Sequence, residues 1–141
     1  MARELFVDTS GWFPLVVQRN PDHRSVTHAL RQRVQSGARI VTSNLVVAET
    51  HALLLRRVGR PAALAFAHTV VEPPNVVVTS NAALEAAALS DWLERYDDQD
   101  FSFTDGVSFA IMTERGIGEA LALDVHFHVA GFATLPRDGG R

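Results

Sequence analysis

Apolar and polar positions fall into blocks along the chain, and the period of the pattern changes from block to block. The first block, Leu5-Phe6-Val7, is a consecutive apolar run ending on Asp8, which predicts a short strand buried on both faces with a carboxylate at its carboxyl edge. A helix is expected from Gly11 or Trp12. From Pro21 to Ser36, Val26, Leu30 and Val34 recur at helical spacing, and Gly37 stops the run. "RIVTSN" reads as a strand with a turn, after which Ser43 or Asn44 caps a helix through "LVVAETHALLLRRV" that Gly59 closes. Pro61 opens another helix, ending before Pro73 and Pro74. "NVVVTS" has the character of a buried strand, and Ser80 or Asn81 caps "AALEAAALSDWLERY", with Ala82, Ala86, Leu89 and Leu93 as its expected buried stripe. After the acidic loop "DDQD" comes a capped helix, "FSFTDGVSFAIMTER", closed by Gly116, and then two strands in "EALALD" and "GFATL". Strands interleaved with helices predict an α/β fold with a mostly parallel sheet and helices on both faces.

Composition narrows this picture. At 141 residues, 47% hydrophobic and 21% charged, the chain suits one domain with a real core, expected over residues 1–136 with a loose tail at 137–141. The absence of cysteine excludes disulfides and thiolate metal sites. The charged start "MARELFVD" argues against a secretory signal, and no segment reaches membrane-spanning length, so a cytoplasmic protein is expected. The net charge of −3 disfavours a nucleic-acid partner, but the charge is unevenly distributed. Between Arg19 and Arg60 lie eight arginines against two acids, whereas Glu72 to Asp124 holds two arginines against eleven acids. Such an asymmetry fits a basic approach surface beside an acidic pocket, and it equally fits solvated helix faces.

The acids carry the candidate chemistry. Asp124 ends "EALAL" as Asp8 ends "ELFV", and parallel strands bring their carboxyl ends to one sheet edge, where open α/β sheets bind ligands. Each aspartate also suits a helix cap or a turn. Asp105 fits a capping box with Ser102, unless Thr104 caps instead and frees Asp105 for the same crevice. Glu49 is a lone acid in an apolar helical turn, so it needs a cation or faces solvent. If these four converge, two unit charges at about 4 Å repel by roughly 4 kcal/mol at an effective dielectric near 20, and a cation or protonation must relieve them. Oxygen-only donors suit Mg²⁺ or Mn²⁺, the ions of phosphodiester hydrolysis. Asp100 belongs by pattern to a solvated acidic loop, and His126-x-His128 is a weaker metal pair beside oxygen donors, although His126 remains able to touch a substrate phosphate. Trp12 and Phe13 suit packing first and base stacking second.

Taken in order, "FVDTSGW", "VVAE", "FSFTDGVSFAIM" and "ALDVHFHVAGF" resemble the motifs of a PIN domain of the VapC-type toxin family across nearly the whole chain. The resemblance implies a three-layer fold around a twisted, mostly parallel sheet of about five strands. It implies a divalent-metal endoribonuclease site of Asp8, Glu49, Asp105 and Asp124, with Asp8, Asp105 and Asp124 as ligands of Mg²⁺ or Mn²⁺ and Ser10 and Thr104 in support. Asp100 is a possible additional acid. RNA as substrate, a homodimer and a cognate antitoxin that covers the acidic groove are implied as well. A PIN-fold binding module without activity is the alternative. Phosphatases of the haloacid dehalogenase type need a second acid where Ser10 stands, and they and receiver-like domains lean on a lysine that this chain lacks.

Overall fold

The computed structural model describes residues 3–137, so the expected tail lies, Arg137 apart, outside the described residues. Five strands, β1 (Glu4–Val7), β2 (Arg39–Ser43), β3 (Val76–Val78), β4 (Glu119–Leu121) and β5 (Ala133–Leu135), form one sheet in the order β3-β2-β1-β4-β5. Every neighbouring pair is parallel. The chain runs outward from β1 to β3 and then returns to the other side of β1. Right-handed crossovers therefore change face, and a crevice opens at the carboxyl ends of β1 and β4.

The helices fall into two layers. Helices α1 (Thr9–Val16), α2 (His23–Gln35), α3 (Asn44–Arg57) and α4 (Arg60–Val70) pack on one another. Helix α5 (Ala82–Ala87), a π-helical segment (Ala88–Leu93), α6 (Phe103–Arg115) and α7 (Val125–Val129) make the second layer. No helix among the described residues is long and apolar enough to cross a membrane.

The core explains the element boundaries. Leu5, Phe6 and Val7 are fully buried, as a central parallel strand requires. Phe127 stacks on Phe6 and meets Phe109 edge to face, with centroids 6.1 and 5.0 Å apart, so α7 and α6 are clamped over the β1–β4 end of the sheet. Gly116 closes α6 in the left-handed region at φ 69°.

Three expectations are corrected here. The stripe Ala82-Ala86-Leu89-Leu93 is not the buried one: Leu84 and Ala88 are buried, and Leu89 is half exposed. The line continues at spacing four through the partly buried Trp92 and Tyr96, whose rings stack at 5.4 Å. Leu93 alone of the expected stripe packs on the core beside them, and the wider π turn accommodates the arrangement. Strand β3 is only half-buried because it is an edge strand. In α2 the packed face is Val26, Ala29 and Leu30, leaving Val34 in solvent. Helix α7 is an element the pattern does not predict.

Candidate active site

Asp8 follows β1 directly and is the N-cap of α1. Its Oδ2 accepts from the Ser10 amide at 3.1 Å and from Ser10 Oγ at 2.7 Å. The same hydroxyl oxygen accepts the amides of Leu123 and Asp124 at 3.0 and 3.2 Å, so one serine fastens the end of β1 to the loop after β4. The Asp8 amide donates to the Leu121 carbonyl at 3.2 Å, which continues the β1–β4 ladder to the site.

Asp105 is held from two sides. In the closed capping box of α6, the Ser102 hydroxyl accepts the Asp105 amide while Asp105 Oδ2 accepts the Ser102 amide at 3.0 Å. The same Oδ2 faces His126 Nδ1 at 2.9 Å. Asp124 caps α7, its Oδ1 accepting the His126 amide at 2.9 Å. Each of the three aspartates thus spends one oxygen on the chain. Among the described residues, Asp8 Oδ1, Asp105 Oδ1 and Asp124 Oδ2 accept no hydrogen bond.

These residues line one cavity of about 480 Å³ with Thr9, Phe13, Pro14, Asn20, Glu49, Leu53, Asp100, Ser102 and Leu123. Ligand atoms of Asp105, Asp124 and His126 all lie within 4.8 Å of one another, a spacing one ion can span. Asp8 stands beside this trio, across the Ser10 hydroxyl from Asp124. Burial pushes the Asp8 carboxyl up to about 6; the Ser10 hydrogen bonds oppose that rise, and the charges of Asp105 and Glu49 add to it. A carboxylate whose charged form is disfavoured chiefly by burial, and further by two neighbouring acids, is one that a bound cation would relieve.

A PIN domain family model matches residues 5–133. The chain belongs to the PIN domain family. Two proteins named 23S rRNA-specific endonuclease VapC20, from Mycobacterium tuberculosis strains CDC 1551 / Oshkosh and ATCC 25618 / H37Rv, are each 40% identical to it over 135 residues, covering 93% of this chain and 97% of theirs. The crystal structure of Mycobacterium tuberculosis VapC20, a Sarcin-Ricin loop cleaving toxin, superposes with a TM-score of 0.84 at 37% identity, over 92% of this chain and 96% of that one.

Within this PIN domain the four acids named from sequence, Asp8, Glu49, Asp105 and Asp124, border the same cavity, and so does Asp100. Glu49 meets the solvent-or-cation requirement from an exposed position on the rim. Thr104 is not among the lining residues; its carbonyl accepts from Ser108 Oγ at 2.8 Å, and Ser102 does the capping. Capping by Ser102 does not withdraw Asp105 from the crevice, because the box uses only one carboxylate oxygen. His126 and His128 are separated by the turn of α7: His126 enters the cavity, and His128 does not. Trp12 is buried edge-on against Phe66 with its Nε1 donating to Thr42 Oγ1 at 3.4 Å, so it is a core residue, whereas Phe13 lines the cavity. The meeting of His126 with Asp105 is not legible in the sequence, since 21 residues separate them.

Proposed function

We propose that this PIN domain is a divalent-metal-dependent endoribonuclease, the toxin of a toxin–antitoxin pair. The observation that carries the reading is the state of the three aspartates: each is fixed through one oxygen while the other stays unengaged at one crevice. Carboxylates that ligate a cation are usually hydrogen-bonded in this way through the oxygen they do not offer to it. The hard oxygen donors fit Mg²⁺ or Mn²⁺, with Asp8, Asp105 and Asp124 holding the ion. When bound, the ion supplies an acidified water and neutralises charge on the scissile phosphate.

The rest is the chain's own work. Ser10 holds Asp8 and the Asp124 loop in fixed relation, and Ser102 and His126 hold Asp105. Glu49, on the rim, serves as a further ligand or orients the attacking water. The name of the relatives makes 23S rRNA the first substrate to try. A cytoplasmic homodimer, covered at the acidic groove by its antitoxin, completes the proposal.

The test is cleavage of total RNA containing 23S rRNA with added Mg²⁺ or Mn²⁺, comparing parent and Asp8→Asn. The parent is expected to give discrete fragments, and the variant to lose more than about 100-fold in rate, beyond what removing a merely supporting hydrogen bond produces. Equal cleavage by both proteins would remove Asp8 from the site. A folded, metal-supplied parent that cuts no RNA would sink the nuclease reading.

A further inference from the structure

The acids account for only part of the cavity. Besides the acids and the residues that hold or flank them, its wall includes Phe13 and Pro14 of α1, Leu53 of α3 and Asn20 of the α1–α2 loop. Phe13 lies one helical turn past Ser10, and Leu53 one turn past Glu49, so this part of the wall begins a turn of roughly 5.4 Å beyond Ser10 and Glu49. Helices α1 and α3 pack together, which closes this end of the groove.

Two details give the wall a chemical preference. Of the chain's aromatic residues, Phe13 and Phe103 alone have no ring partner among the described residues; the others stack or meet edge to face within the core. Phe13 is half-buried, packed on the core and bordering the cavity, an arrangement that leaves aromatic surface available beside the acids. Asn20 is fixed by its own loop: Oδ1 accepts the Asp22 amide at 2.9 Å, and its own amide donates to the Val17 carbonyl at 3.0 Å. Because an amide N–H only donates, the oxygen must face Asp22, and the Asn20 NH₂ is left as a donor. His23 Nδ1 against the Pro14 carbonyl at 2.8 Å ties the same loop to α1.

We infer that Phe13, Pro14, Leu53 and Asn20 form a nucleobase subsite that seats a base next to the scissile phosphate. This rests on the nuclease reading above and adds to it a place where sequence can be read. Phe13 offers the stacking surface, Leu53 and Pro14 exclude water from the base, and the Asn20 NH₂ donates to a ring nitrogen or carbonyl oxygen on its edge. Stacking on an aromatic ring is a contact that a base of any identity can make, since every base has a π-face.

The experiment uses a synthetic oligoribonucleotide bearing a cleavage site mapped for the parent, and versions in which each nucleotide flanking the scissile bond in turn lacks its base. The proteins compared are the parent, Phe13→Leu, which keeps bulk but loses the ring, and Asn20→Asp, which keeps the acceptor for the Asp22 amide but loses the donor. At one flanking position the parent is expected to lose roughly tenfold or more in kcat/KM without the base. Phe13→Leu and Asn20→Asp should start lower on the intact oligonucleotide and lose little more at that position. Thermal unfolding of each variant shows that the fold is kept. If base removal costs all three proteins the same factor at every position, the subsite is overturned while the nuclease reading stands. If the parent cuts no RNA, both fall together.

Discussion

Asp8 gives one oxygen to the start of its own helix and keeps the other without a hydrogen bond at the edge of the cavity, and the cost of its burial is visible in its affinity for a proton. Its pKa rises from the usual 3.8 to about 6, chiefly because burial strips water from the charged form. The folded protein therefore binds this proton more tightly than the unfolded chain, so ionised Asp8 lowers stability above about pH 6 and the penalty disappears as pH falls toward about 4. In chelator, Asp8→Asn should be more stable than the parent at pH 7.5 by about 1–3 kcal/mol, with the gap closing near pH 4, because Asn keeps the cap and cannot ionise. Denaturant melts across that pH range measure it. Adding Mn²⁺ should raise the melting point of the parent and leave the variant unmoved, and equal shifts would remove Asp8 as a ligand.

At the scale of elements, the approach of α1 to β4 sets the distance between the two strand-end aspartates. A side chain on Gly11 would run into the Leu121 carbonyl oxygen, with Leu121 Cγ at 3.2 Å, so only glycine lets α1 lie this close. That carbonyl is the one the Asp8 amide donates to. Gly11→Ala is expected to destabilise the protein by about 1–3 kcal/mol and to weaken Mn²⁺ binding as well, since Asp8 and Asp124 are displaced together. Calorimetric titration and thermal melts on the same sample test both effects; an unchanged ion affinity would detach the site from this close approach. The elements also show where local patterning reaches its limit. Strand ends, caps and helix stops follow from nearest neighbours, and they are legible: Ser43 and Ser102 cap α3 and α6, and Gly116 ends α6. The buried face of α5 departs from its helical pattern, because the line Leu84-Ala88-Trp92-Tyr96 depends on a π turn set by aromatic packing on Phe109 and Phe101.

Across the whole molecule the arginines divide by partner. Arg33 grips Glu119 through two hydrogen bonds of 2.7 and 3.0 Å, and Arg39 and Arg115 share Glu4 at the amino edge of the sheet, opposite the acids. These pairs leave Arg33 and Arg39 tied to the fold, which narrows the basic approach surface expected between Arg19 and Arg60. Arg56 and Arg57 instead stand exposed on α3 one turn past Leu53, in line with the groove. Replacing Arg56 and Arg57 by alanine should raise KM for RNA and reduce the slope of log KM against log salt by about 1 for each phosphate that an arginine no longer neutralises. Arg33→Ala should leave that slope unchanged and lower stability instead. A slope that does not respond to the α3 pair would place the phosphate track elsewhere.

By itself the sequence determined that two strands end on aspartates, that two more acids stand at a helix start and inside an apolar helical turn, and that strands and helices alternate. Those are properties of short stretches, written in caps, stops and periodicity. The tertiary structure decided which strands are neighbours, and so placed Asp8 beside Asp124 through the β1–β4 register. It also decided which oxygen of each aspartate is spent, that His126 meets Asp105, and that Phe13 and Asn20 share the cavity. Those facts join residues far apart in the chain, and only packing of the parallel sheet and its two helical layers brings them within reach of one another.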